Sequence, residues 1–348
     1  MRRVVGFVLL GLGVFAVALG LLLRFWAYPQ LAKAPLDTKS TSVAEGTGIT
    51  ALVIKTVDGT PSPEVEDDLN VRSTTYVTGD LTQPEVKADG DIAAYVEAIK
   101  TVDESTGITI NATVRELCFD RFSGEAVAPC EGQYVEVEKG KRETPTKRGV
   151  VQQPGLSFKF PFGVDQQDYR FYDLQVRKAV KAKYVGEDTI QGLDVYKFVM
   201  DVPNTRIGEE EVPGSLVDEP DEPSVDADLY YKGKRTLWVE PSTGVIVLGQ
   251  QEMTQELVPP GKEPGEGTVV FNGTLRLNDK TVSDFVRQAE DAKSQLQLLT
   301  MWPIVMWIVG GVLAAVGLFL LFLGFGRGES GMADGVPPRE RQPVGASG

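Results

Sequence analysis

The sequence contains no histidine and only two cysteines in 348 residues. Without histidine it lacks the commonest general base and the commonest nitrogen ligand for metals. Serine–histidine and cysteine–histidine nucleophile systems are excluded, leaving carboxylate or lysine chemistry. Basic residues are also in deficit: 35 Lys+Arg against 49 Asp+Glu give a formal charge of −14. No basic stripe is present, which argues against a nucleic-acid partner. No nucleophile–base set can be assembled either. The chain therefore reads as a non-enzyme with no catalytic, cofactor or metal residues.

Apolar sequence is concentrated at the two ends. Val4–Leu23 is uncharged over 20 residues and Ile304–Phe325 over 22. Each is long enough to cross a bilayer as a helix. Trp26, Tyr28, Trp302 and Trp307 lie near the inner-sequence ends, where an aromatic belt would sit. Arg2 and Arg3 precede the first run, and Arg327, Arg339 and Arg341 follow the second. The positive-inside rule places both termini in the cytoplasm and the middle of the chain outside a plasma membrane, with Arg24 a contrary signal. Ala16-Val17-Ala18 resembles a signal-peptidase site, but the apolar run continues beyond it, which favours a retained anchor.

Four segments follow: an N-terminal transmembrane helix (1–27), a β-rich extracytoplasmic domain (28–280), a helical stalk with the C-terminal transmembrane helix (281–325), and a disordered cytoplasmic tail (326–348). Cys118 and Cys130 fall in the outer domain, where an oxidising compartment permits a disulfide.

One phrase recurs: VDESTGITI at 102–110, FDRFSGEAV at 119–127 and LWVEPSTGVIV at 237–247. An acid accepts backbone N–H bonds, Ser or Thr assists, and Gly closes the turn in the left-handed region. Gly107, Gly124 and Gly244 take that place, so the phrase is read as a hairpin device rather than a ligand motif. The first two copies predict a meander of three long strands within 92–135, and the third a hairpin over 229–253. Further strand signals lie at Val135/Val137, Tyr196–Met200 and Val269–Leu277. The expected fold is a mainly β, antiparallel domain held between two terminal transmembrane helices. IAAYVEAIKTV reads partly helical, and Glu209–Asp228, acidic and proline-rich, reads as a mobile loop. Phe158, Phe160 and Phe162 fall on one side of an extended chain, either as core or as an apolar ligand wall.

Gly6, Gly13 and Gly20 recur every seven residues in the first run, as do Gly310, Gly317 and Gly324 in the second. Small residues on one face let membrane helices approach closely. Matching depth predicts the antiparallel pairs Gly6–Gly324, Gly13–Gly317 and Gly20–Gly310, within one chain or between copies. Val282, Phe285, Ala289, Ala292, Leu296 and Leu299 extend that phase backwards as a heptad, with Pro303 on the seam.

YPQLAKAPLD after the first anchor, then FDRFSGEAV, FPFGVDQQDYRFYDLQVRKAVKAKYVGEDTIQGLDVYKF and LWVEPSTGVIV, stand in this order over residues 1–325. Together they resemble an actinobacterial two-pass membrane-protein family of unknown function, called porin A-like. That resemblance implies a membrane protein and supplies no catalytic residues.

The function expected from the sequence is a non-enzymatic presenter of a β domain in the cell envelope, binding an envelope lipid or glycolipid. A scaffold for an envelope protein complex is the alternative; the partners expected are the membrane, an envelope lipid or envelope protein, and further copies of the chain in a homo-oligomer. A pore subunit ranks behind both with a carboxylate enzyme. Charged loops interrupt the strands a barrel would need, and neither helix carries a polar stripe.

Overall fold

A computed structural model describes residues 2–325, apart from 58, 139–140 and 145–151. The expected tail at 326–348 lies outside the described residues. The chain divides into two compact units, Met1–Tyr28 with Gln297–Gly348, and Pro29–Leu296. Helix α1 (Arg2–Leu22) runs through a π-helical turn at Leu23–Ala27 into the short α2 (Tyr28–Leu31).

The larger unit is one antiparallel sheet, with twelve strands among the described residues. Its first half comprises β1 (Lys39–Val57), β2 (Thr60–Gly79), β3 (Ile92–Asp103), β4 (Thr109–Asp120), β5 (Tyr134–Glu138) and β6 (Lys141–Glu143). A short helix, α3 (Pro84–Ala88), interrupts the path between β2 and β3. The second half comprises β7 (Tyr169–Asp173), β8 (Lys178–Ile190), β9 (Leu193–Val212), β10 (Val225–Val239), β11 (Ile246–Val258) and β12 (Thr268–Leu277). The spatial order, β6-β5-β4-β3-β2-β1-β12-β11-β10-β9-β8-β7, is two meanders joined where β1 pairs with β12. Single bridges Phe119–Ala126, Glu125–Leu156 and Leu156–Phe171 carry β4 round to β7, so the sheet curls on itself. Helix α4 (Asp279–Phe325) follows, capped where Asn278 Oδ1 accepts the Thr281 N–H at 3.0 Å.

The repeated phrase builds turns. Asp103 accepts the N–H groups of Ser105 and Thr106, Asp120 those of Phe122 and Ser123, and Glu240 that of Thr243. In each, the glycine four residues on donates back to the acid's carbonyl at a φ between +73° and +78°. A fourth copy escaped the sequence reading. Asp173 accepts from Gln175 and Val176, and Arg177 takes the glycine's place at φ 50°.

Three local expectations are corrected. IAAYVEAIKTV is strand β3, because ladders to β2 and β4 on both sides override the helical preference of its Ala and Glu residues. The second phrase does not start a long third strand. Only Phe119–Ala126 bridges, Pro129 has no N–H to extend the ladder, and β5 arrives later. The acidic 209–228 segment is not a free loop: Glu209, Glu210 and Glu211 pair with Asp228, Ala227 and Asp226. Val212, Val217 and Ala227 anchor it by packing with Leu257 and Val270.

The start of α4 packs onto the sheet. Val282, Val286 and Ala289 are buried with Leu193, Val195, Trp238, Val247 and Leu248. The disulfide is formed: Cys118 and Cys130 are bonded, with Cα atoms 5.6 Å apart, among Val86 and Ala94.

Candidate functional site

Two helices are long and apolar enough to cross a membrane, Arg3–Leu31 and Asp279–Leu323. Within the smaller unit they meet through glycine. A Cβ on Gly13 would lie 2.5 Å from the Ala314 nitrogen and 2.6 Å from the Gly310 oxygen. One on Gly317 would lie 2.6 Å from the Leu10 nitrogen and 2.8 Å from the Gly6 oxygen. Gly20 faces Trp307 and the Pro303 carbonyl, and Gly310 faces Gly13, Ala16 and Val17. The pairs are therefore Gly6–Gly317 and Gly13–Gly310, with Pro303 opposite Gly20. This is one heptad from the depth-matched register, and Gly324 lies in the last turn of α4 beyond it. Pro303, already on the seven-residue seam, supplies the third compact contact; depth matching by run ends alone ignored that residue.

Outside the seam the helices present large apolar side chains. Phe7, Phe15, Phe25, Trp26, Phe319 and Phe322 are all exposed in the isolated chain. Phe25 stacks with Trp307 at 6.4 Å.

In the sheet unit the three phenylalanines do not form one wall. Phe160 is fully buried with Phe171 and Phe198, its ring 4.6 Å from that of Phe198. Phe158 packs with Tyr95 and Phe119, and Phe162 stacks on Phe122. They fill three separate places, and Phe160 lies in packed core.

Registers place Val77, Glu97 and Arg115 side by side on the inner face of β2–β4. Arg115, 4% exposed, pairs with Glu97 at 2.6 Å and donates to Gln153 and Ser157 at 3.2 Å. Its guanidinium lies 5.1 Å from the Phe158 ring centre. Sequence reasoning missed this pair, whose two members meet only once strand register is known. Lys159 is also buried; its ammonium donates to the Phe122 carbonyl at 3.0 Å and sits over the Phe162 ring. Burial pushes it down to about 7 against the pull of Asp120. No group of three or more His, Cys, Asp or Glu residues able to hold a metal occurs among the described residues.

A hollow of about 300 Å³ is lined by Pro29, Gln30, Lys33, Asp91, Asp120 and Phe122. Lys33 and Asp91 satisfy each other there at 2.5 Å, so it holds no unpaired ligand group among those two.

The outer face of the sheet is charged. Asp201, Lys234, Glu252 and Thr274 stand opposite one another on four neighbouring strands, all exposed. A membrane barrel needs an apolar band there. That row is unsuited to lipid, and the two apolar helices packed through glycine indicate the class: a membrane protein.

The model of the Porin PorA family matches residues 5–319, and the chain belongs to that family. A protein named Porin PorA from Corynebacterium amycolatum is 26% identical over 385 aligned positions, covering 93% of this chain and 98% of its own. A second Porin PorA, from Corynebacterium resistens, is 28% identical over 275 positions, covering 62% and 66%. These findings overturn the reading as a lipid- or glycolipid-binding presenter. The family is named for pores, and Phe160, offered as part of an apolar ligand wall, is packed core. The low rank given to a pore rested on the charged loops between the strands and on the lack of a polar stripe along either helix, and the family match tells against that ranking.

Proposed function

We propose that the chain is a subunit of a membrane pore built from several copies, and that it is not an enzyme. The observation that carries this reading is the match to the porin family across residues 5–319, which takes in most of both helices and the whole sheet. Physical reasoning assigns the membrane crossing to the helices, because the sheet's outer row of Asp201, Lys234 and Glu252 is unsuited to lipid. A single helix pair has no room for a conduit along its seam, since even a methyl group at Gly13 would collide with Ala314. A lumen then requires helices from several copies. Arg2 and Arg3 at the start of α1 and Arg327 after α4 support cytoplasmic termini, with the sheet unit in the envelope. The boundaries near 28 and 280, with a stalk after 281, belong to the same reading.

Planar-bilayer recording on the purified full-length protein tests it. Stepwise conductance that grows with protein concentration, with cross-linked multimers in detergent, is the expected result. An intact bilayer at every concentration would overturn the proposal.

A further inference from the structure

A pair of carboxyl groups lies under the short helix α3. Asp80 directly follows β2, and Glu116, only 6% exposed, lies on β4. The Gln83 carboxamide joins them, donating to Asp80 Oδ2 at 3.2 Å and to Glu116 Oε1. The other Asp80 oxygen accepts the N–H and hydroxyl of Thr82 at 2.8 and 2.7 Å. The turn at 131–133 closes over this group: a Cβ at Gly132 would run into the Gln83 carboxamide. On α3 itself, Glu85 accepts the Glu131 N–H at 3.0 Å, and Val86 packs on the Cys118–Cys130 disulfide. Residues 80–89 thus form a cover over that bond.

Few charges compensate the pair. Facing Glu116 are Asp80 and Gln83, Val96 of β3, Tyr134 of β5 and, further out, Glu136 and Arg142. The Arg142 guanidinium lies over the Tyr134 ring at 4.0 Å and also approaches Glu136 at 4.0 Å.

We propose that Asp80 and Glu116, bridged by Gln83, form a proton-operated latch that holds the 80–89 cover over the disulfide while they share one proton and frees it when both ionise. Two carboxyl groups competing for one donor in a poorly solvated place do not ionise independently. Burial pushes the Glu116 carboxyl up to about 7, the Asp80 charge adding to the effect and Gln83 and Arg142 opposing it. Burial works against Asp80 too, yet the Thr82 and Gln83 donors outweigh it and hold that carboxyl below its usual range. Asp80 carries the charge and Glu116 the proton. The latch is closed in acid and open in alkali.

Hydrogen exchange on the full-length protein in detergent tests this at about pH 5.5 and about pH 8.5, with intrinsic exchange rates divided out. Protection within 81–91 is expected to fall about tenfold at the higher pH, while β9 stays unchanged. Reduction of Cys118–Cys130 by a phosphine should accelerate in parallel. Glu116→Gln, which keeps the hydrogen bond without a charge, should hold the cover closed at both pH values; Asp80→Asn should do the same. Equal protection at both pH values in the unaltered protein, or undiminished pH dependence in a folded variant, would overturn the proposal.

Discussion

Gly13 and Ala314 approach through their backbones: a methyl group on Gly13 would lie 2.5 Å from the Ala314 nitrogen. In lipid no hydrophobic gain offsets lost backbone contact, so such proximity is what holds the helix pair. Gly13→Leu is expected to force the helices apart, while Leu12→Ala, whose side chain is exposed, leaves them paired. Register has its own test. A Cβ at Gly310 would lie 3.0 Å from that of Ala16, so cysteines at Ala16 and Gly310 should cross-link readily. Cysteines at Ala16 and Gly317, a heptad away, should not; equal yields would place the seam elsewhere.

The turns differ in what their fifth residue meets. Gly107 and Gly244 share a left-handed φ, +74° and +73°, but only Gly244 is hemmed in, by the carbonyls of Phe160 and Pro161. Gly107→Ala should cost about 1 kcal/mol from backbone strain alone. Gly244→Ala adds a collision with backbone and should cost about 2–4 kcal/mol. Arg177 carries the left-handed strain already at φ 50°, and its pair with Glu143 is exposed. Arg177→Gly should therefore gain about 0.5 kcal/mol, the relieved strain exceeding the added chain entropy. Thermal unfolding of the three variants gives the ranking, and loss on Arg177→Gly would refute it.

What the sequence made legible was local. Acid, hydroxyl and glycine at fixed spacing specify a turn without reference to the rest of the chain, so Asp103–Gly107 and Glu240–Gly244 could be read directly. The fourth copy hid because Arg177 tolerates the left-handed region without advertising it. The apolar end runs were equally plain, and glycine phase identified the seam face. Its register depended on which compact residue met Gly20, and Pro303 took that place. Nothing local paired β1 with β12, joined Glu97 to Arg115, or set Gln83 between Asp80 and Glu116. Those relations arise from strand order. The proposed pore lay further still from the residues, since it calls for several copies.

The Arg115–Glu97 pair should behave as a buried ion pair. Each partner removed alone strands the other, and Glu97→Leu or Arg115→Met is expected to cost about 3–5 kcal/mol. The double variant replaces both charges with apolar volume and should cost less than either single change. Additive losses in a double-mutant cycle would mean that the two are not coupled.

Lys159 and Glu116 should together give stability a minimum near neutral pH. For Lys159, burial lowers the folded value to about 7 from 10.5. Its contribution is present above 10.5 and lost as pH falls to about 7, so stability rises with pH across that window. For Glu116, burial raises the folded value from 4.5 to about 7. Its contribution is full below 4.5 and gone above about 7, so stability falls with pH across that lower window. The windows adjoin without overlapping, and each slope is bounded by about 1.4 kcal/mol per pH unit for one proton. Denaturant titrations across the range should flatten on the alkaline side for Lys159→Met and on the acid side for Glu116→Gln. A variant that flattens the wrong side, or neither, would show that another group carries the dependence. The Phe162 ring below the Lys159 ammonium favours its charged form, so Phe162→Leu is expected to lower the folded value further and extend the rising window to lower pH, with its slope unchanged.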